Sequence, residues 1–178
     1  MTLHREALAE LATWSPPPGR QTELRDRYVA HLHAHADGTE RSCFPDHLTA
    51  GALVLSADGG RVLLNLHRKA GRWFHFGGHC EPGDGSLFAT AYREATEESG
   101  IDGLQIDDWP AQLHVHPITC SLGVPTRHFD VRYRVIAPDG ALPVVSDESD
   151  DLRWWPLAKL PDDLEPDLAR VLREFARR

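Results

Sequence analysis

The strongest constraint on this chain is a glycine-rich segment that leads directly into a helix carrying three glutamates. The segment covers residues 77–84, and the acidic residues that follow it are Glu94, Glu97 and Glu98. Spacings of i, i+3 and i+4 place the three carboxylates on one side of an α-helix, close enough to share an ion. Because Mg²⁺ is held by a few carboxylates together with substrate phosphates, this pattern predicts metal-assisted chemistry on a phosphorylated substrate.

The composition is that of an ordinary globular protein with an acidic balance. The 178 residues are 41% hydrophobic and 26% charged, with a formal net charge of −8. This length is typical of one domain with some additional segments. A nucleic-acid duplex is therefore not expected as a partner. We also expect no membrane association, because no apolar run approaches the ~20 residues of a membrane span. Since three cysteines make no disulfide framework and the N-terminus lacks a signal-peptide pattern, a cytoplasmic location is expected.

Hydrophobic periodicity predicts two N-terminal helices followed by an α+β domain. Residues 2–13 and 21–35 carry helical apolar stripes, which divide the chain into a helical extension (1–45) and a main domain (46–178). In the main domain, strands are predicted at residues 50–55, 62–66, 113–120, 129–136 and 152–155, and helices at 87–99 and 163–175. Strands interleaved with two helices indicate an α+β fold or an α/β/α sandwich.

The segment from Gly78 onward closely resembles the signature of the Nudix hydrolase family. That signature is a glycine, an acidic residue and then the run Arg-Glu-apolar-x-Glu-Glu-x-Gly-apolar. Gly78 and Asp84 take the first two places, and residues 93–101 supply the whole second half. Asp84 stands where the family usually has glutamate, and the gap from it to Arg93 is one residue longer. The resemblance implies the Nudix-type α/β/α sandwich with a mixed sheet, here preceded by two N-terminal helices.

The resemblance also implies a role for each residue of the signature. The carbonyl of Gly78 and the carboxylates of Glu94, Glu97 and Glu98 would hold divalent ions, Mg²⁺ or Mn²⁺. Glu94 would ligate an ion or orient the attacking water, and Arg93 would steer a carboxylate through a charge-assisted hydrogen bond. The implied reaction is attack of water on a diphosphate linkage in a nucleoside diphosphate derivative. A solvated helix face is the alternative interpretation of the three glutamates.

Residues outside the signature give further predictions about the substrate. Arg68 and Arg72 form a small basic patch that could contact substrate phosphates or simply solvate a turn. Trp73 could stack on a nucleobase, although strands are also rich in aromatic residues that pack in the core. Glu148 is the candidate for an additional base, with a solvated charge run as the alternative.

Several histidines suggest a second metal site. His47 begins the first strand and His79 follows the double glycine, which resembles the isopentenyl-diphosphate isomerase branch of the Nudix fold. Gly77 stands at the position of that branch's catalytic cysteine, while His114 and His116 match its later acidic ligands, so isomerase chemistry is disfavoured. An additional transition metal bound by these four histidines remains a hypothesis, because imidazole suits Zn²⁺. Histidines that face solvent or donate hydrogen bonds are the alternative.

The leading interpretation is therefore a metal-dependent pyrophosphohydrolase acting on a small phosphorylated substrate. The rival functions are an isomerase of isoprenoid diphosphates and a non-catalytic nucleotide-sensing domain. A sensor would not need to keep the three glutamates. The N-terminal helices could cap the sheet, form a homodimer interface or cover the substrate, and the sequence leaves these roles open.

Overall fold

The computed structural model describes residues 2–119, 123–145 and 149–175. In chain order the elements are α1 (Leu3–Thr13), α2 (Arg20–Ala34), β1 (Asp46–Leu55), β2 (Arg61–His67), β3 (Arg72–Phe74), β4 (Phe76–His79), α3 (Leu87–Ser99), β5 (Gln105–Thr119), β6 (Pro125–Ile136), β7 (Ser149–Pro156) and α4 (Pro166–Phe175). Among these residues the strands pair in the order β3-β2-β1-β6-β5, with β4 joined to β1 and β7 joined to β2. The predicted α+β fold, with a mixed sheet and two N-terminal helices, is confirmed.

Several element boundaries differ from the prediction, among them the start of β1 and the start of α4. Burial of polar residues explains the first of these, and helix capping explains the second. β1 begins at Asp46 rather than at residue 50, because buried His47 and Thr49 extend a strand that is covered along its whole length. α4 begins at Pro166, a residue that suits the first helical position because it has no N–H to satisfy. The carboxylate of Glu165 accepts hydrogen bonds from the next free N–H groups and caps this helix.

The chain forms two compact units, of which the first comprises residues 1–50, 78–91 and 108–133. In it, α1 and α2 bury the side chains of Ala7, Leu11, Tyr28 and Leu32, and Trp14, the residue that follows α1, is also buried. The Tyr28 hydroxyl lies 2.7 Å from the carbonyl oxygen of His114 and 3.1 Å from that of Asp130. The Gln21 side chain hydrogen-bonds both the N–H and the carbonyl of Leu113. These contacts fix α2 to β5 and β6, and the role of the N-terminal helices stays a prediction.

The second unit comprises residues 51–77, 92–107 and 134–178. Its core is a cluster of buried apolar side chains, namely Ala52, Val54, Leu63, Phe76, Ala95, Ile101, Leu104, Val135, Ala137 and Leu152. Ala95 lies on α3, and Tyr92 of the same helix packs against this cluster. The division of the chain at residue 45 stays a prediction. In the part of the chain that the structure describes, every helix is too short or too polar to cross a membrane.

Candidate functional site

The position of the three glutamates follows from the buried stripe of α3. Leu87, Ala91 and Ala95 have no exposed surface, so one face of the helix is buried in the protein interior. An amphipathic helix presents its remaining positions away from that stripe. Glu97 is exposed and Glu98 is half-buried at the edge of the stripe, where a carboxylate loses part of its hydration.

Arg93 connects two of the three carboxylates. Its Nη1 lies 3.0 Å from Oε1 of Glu94 and 3.2 Å from Oε2 of Glu97. The Glu94 side chain is only 14% exposed and the Arg93 side chain 21%, so this contact is partly shielded from water. The guanidinium offsets part of the repulsion between the carboxylates and limits their rotation. This is the contact expected of a residue that steers a carboxylate.

The loop before α3 is held by Asp84, the acidic residue of the signature. Its Oδ2 accepts hydrogen bonds from the N–H of Glu81 and from the hydroxyl of Thr90, both at 2.9 Å. The carboxylate therefore fastens the loop to the first turns of α3. Gly78 lies in β4, and the shared binding of an ion by its carbonyl and the three glutamates stays a prediction.

The two arginines of the basic patch are engaged by the protein. Arg68 donates from Nε to Asp150 at 2.9 Å and from Nη2 to the carbonyl of Ser149 at 3.0 Å. Arg72 donates twice to the carbonyl of Asp163. Both arginines therefore hold neighbouring segments in place, and a contact of either one with substrate phosphates stays a prediction.

Trp73 has a packing role in the second unit. It is 8% exposed, and its ring meets that of Trp155 edge-on with 5.3 Å between the centroids. Its stacking on a nucleobase stays a prediction, as packing alone accounts for the aromatic residue. Glu148, the candidate for an additional base, lies outside the described residues.

Three histidines from separate strands converge in the first unit. His47 on β1, His79 on β4 and His128 on β6 have ring nitrogens that all lie within 4.8 Å of one another. The ring centroids are 5.1, 5.0 and 4.9 Å apart, which is nearly an equilateral triangle. We call these residues the histidine triad. The sequence predictions contained His47 and His79 but missed His128.

The other two predicted histidines lie beside the triad with different surroundings. The rings of His114 and His116 stack at 5.5 Å, and His116 meets His128 edge-on at 5.3 Å. Nδ1 of His114 accepts a hydrogen bond from Nη2 of Arg132 at 3.1 Å. His114 is therefore part of a buried polar network that also includes Asp130 and Gln112.

The surroundings keep the triad uncharged at neutral pH. Burial is the main cause that lowers the pKa of His128 to about 3, helped by the neighbouring histidines. The pKa of His79 is lowered to about 4, again mainly by burial and then by the charge of Arg41. Burial also lowers the pKa of His47. Neutral imidazole is the form that binds metal ions.

These lowered pKa values predict an acid-dependent loss of stability in metal-free protein. An unfolded histidine takes up its proton near pH 6.5, whereas folded His128 takes it up only near pH 3. Between these values the unfolded chain binds more protons, so the free energy of unfolding falls as the pH falls. Measured by urea unfolding with EDTA, the loss from pH 7 to pH 5 should be larger in the wild type than in His128→Gln by on the order of 1 kcal/mol. Parallel pH profiles would refute the prediction.

Comparison with known proteins decides the family. A family model described as the NUDIX domain matches residues 45–175. The chain belongs to the Nudix family. The resemblance seen in the signature is thus confirmed, and membership in this family supports the prediction of a pyrophosphohydrolase. Nudix hydrolases act on nucleoside diphosphate derivatives. No curated protein matches the sequence.

Solved structures of Nudix proteins share the fold. The MutT protein from Methanosarcina mazei is 22% identical with a TM-score of 0.60, covering 75% of this chain and 94% of its own. An Ap4A hydrolase from C. elegans is 21% identical with a TM-score of 0.55, covering 73% and 95%. The E. coli dihydroneopterin triphosphate pyrophosphohydrolase is 21% identical with a TM-score of 0.56, covering 72% and 93%. At these identities the likeness shows the fold alone.

Proposed function

We propose that this Nudix protein is a divalent-metal-dependent hydrolase that cleaves a diphosphate linkage in a nucleoside diphosphate derivative. The observation that carries the proposal is the acidic face of α3, where Arg93 bonds to Glu94 and Glu97 beside half-buried Glu98. A regulatory domain without catalysis would gain nothing from three clustered carboxylates that repel one another.

The donor set fits Mg²⁺ or Mn²⁺. The side-chain atoms that the three glutamates offer as metal ligands are all carboxylate oxygens, which Mg²⁺ and Mn²⁺ prefer. Two of these glutamates, Glu94 and Glu98, are only partly exposed, and a bound cation would offset the cost of burying their charge. Glu97 and Glu98 would hold the ion together with the carbonyl of Gly78. When bound, the ion supplies Lewis acidity and neutralises charge on the phosphates. Glu94, whose orientation is limited by Arg93, would accept a hydrogen bond from the attacking water and take its proton.

The isomerase alternative is disfavoured by the backbone at Gly77. The position holds glycine instead of a catalytic cysteine, and its φ of 154° lies in a region that side-chain-bearing residues rarely adopt. A cysteine at this position would therefore strain the backbone, and the strand offers no thiol there to transfer a proton.

The substrate is proposed to be a small phosphorylated molecule in the cytoplasm. The similar structures include enzymes named for Ap4A and for dihydroneopterin triphosphate, so the diphosphate is the shared element and the group attached to it varies. Homodimerisation stays a prediction.

A substrate panel tests the proposal. Purified protein with Mg²⁺ or Mn²⁺ is incubated with Ap4A, dihydroneopterin triphosphate, ADP-ribose, nucleotide sugars and oxidised nucleoside triphosphates, and phosphorylated products are separated. Cleavage at a diphosphate linkage that EDTA abolishes is expected for at least one compound. Cleavage that is unchanged by EDTA would contradict the metal dependence.

Arg93 provides a separate prediction about metal affinity. Arg93→Lys keeps the charge, but the shorter side chain does not carry a nitrogen to the position of Nη1, which contacts both carboxylates. Because it acts through Glu94 and Glu97, the variant should raise the Mg²⁺ concentration for half-maximal activity by about 10–100-fold. The measurement is a Mg²⁺ titration of the hydrolysis rate. An unchanged Mg²⁺ requirement would show that Arg93 does not position the glutamates.

A further inference from the structure

We propose that His47, His79 and His128 bind a divalent transition metal ion of the Zn²⁺ type, with a ligand set different from the carboxylates of α3. The proposal concerns the first unit alone and does not depend on the hydrolase activity. It names His128 as a ligand that the sequence did not indicate.

The geometry of the triad is close to that of a three-histidine metal site. Nε2 of His79 lies 3.1 Å from Nε2 of His47, and the remaining nitrogen separations are at most 4.8 Å. Tetrahedral Zn²⁺ with nitrogen ligands at 2.0–2.1 Å requires nitrogens about 3.3 Å apart. One pair already meets this requirement, and rotation of the His128 ring would bring in the third nitrogen.

The hydrogen bond of His47 prepares its ring for a metal. Nδ1 of His47 lies 3.0 Å from the carbonyl oxygen of Cys43, which can only accept, so Nδ1 carries the proton. The lone pair of this ring is therefore on Nε2, the atom that faces His79. A histidine that donates one ring N–H to a backbone carbonyl and binds metal through the other nitrogen is the usual arrangement in metal sites.

Burial and ligand chemistry define the type of ion. His47 has no exposed surface and His128 is 8% exposed, so an ion bound by these rings would be shielded from water. In the metal-free protein Nε2–H of His79 donates to Nε2 of His47, and a bound ion would take the place of that proton and accept a lone pair from each of the three rings. Imidazole ligands suit Zn²⁺, Cu²⁺ and Ni²⁺, whereas Mg²⁺ prefers oxygen ligands. Three protein ligands leave one position of a tetrahedral ion for water or another ligand.

Cobalt titration tests the site by spectroscopy. Chelator-treated protein is titrated with Co²⁺, whose visible absorption is intense in tetrahedral sites, and Zn²⁺ or Mg²⁺ is then added as competitor. We expect the tetrahedral absorption to saturate at about one equivalent of Co²⁺, Zn²⁺ to remove it and excess Mg²⁺ to leave it unchanged. His128→Gln and His79→Gln should each weaken Co²⁺ binding by on the order of 10²-fold.

Two controls make the outcome decisive. His33→Gln removes an exposed histidine of α2, and Glu98→Gln alters the carboxylate face, so both should show the tetrahedral Co²⁺ absorption of the wild type. Circular dichroism checks the fold of each variant, and if one triad variant fails to fold the other decides. Absence of a tetrahedral Co²⁺ spectrum in the wild type, or equal binding by folded triad variants, would overturn the proposal. Because absorption is the readout, an inactive hydrolase would not affect this test.

Discussion

Glu98→Gln lowers the turnover number by on the order of 10²–10⁴-fold in our account, with the fold intact. The substitution keeps the shape of the side chain and removes the negative charge that would hold the ion. Its half-buried position on α3 limits replacement of the lost ligand by water. The measurement is kcat at saturating Mg²⁺ with the substrate found in the panel, and circular dichroism reports the fold.

A glutamate remote from the signature serves as the control. Glu23 is exposed in the first turn of α2, and Glu23→Gln should leave kcat within about twofold of the wild type. Glu97→Gln is the second test variant, because Glu97 is the other proposed direct ligand. If both Glu97→Gln and Glu98→Gln retained wild-type turnover, catalysis could not be centred on the acidic face of α3.

Arg132→Met reduces the free energy of unfolding by about 3–5 kcal/mol, the largest stability change we expect from a single substitution. Arg132 and Asp130 are 3% and 5% exposed, and Nε of Arg132 donates to Oδ2 of Asp130 at 2.8 Å. Arg132 also donates to Gln112 and to His114, so its loss leaves a buried carboxylate without its cation. Urea unfolding followed by circular dichroism measures the effect.

Two comparison variants separate the buried charge from general damage to the strand. Arg134 lies on the same strand, and its pair with Asp107 is about 40% exposed on both sides. Arg134→Met should therefore cost only about 0–1 kcal/mol. Replacing Asp130 and Arg132 together with asparagine and methionine should destabilise less than Arg132→Met alone. Equal losses for Arg132→Met and Arg134→Met would contradict the assignment.

Local sequence patterns predicted the family and the glutamate-bearing helix α3 well. The glutamates, the buried stripe of α3 and the glycines of residues 77–84 are close in sequence, so a motif and a 3.6-residue period suffice to recognise them. The apolar pattern alone placed the start of β1 at residue 50, because buried polar residues such as His47 interrupt that pattern. Their burial depends on partners from distant strands.

The histidine triad shows what a single sequence does not reveal. His128 is as polar as the other histidines, and only the pairing of β6 with β1 brings it beside His47. The predicted set instead included His114, whose ring accepts a hydrogen bond from Arg132 in the buried network. Strand register decides which histidines converge, and hydrophobic periodicity carries little information about register between distant strands.

Isotope labelling of the product is the most direct test of hydrolysis by this protein. The enzyme acts on its best substrate in ¹⁸O-labelled water with Mg²⁺, and mass spectrometry locates the label in the products. Our account predicts cleavage of the diphosphate linkage with one labelled oxygen on one of the two new phosphate ends. Conversion of the substrate to products that carry no ¹⁸O in a phosphate would contradict water attack and favour isomerase or transfer chemistry.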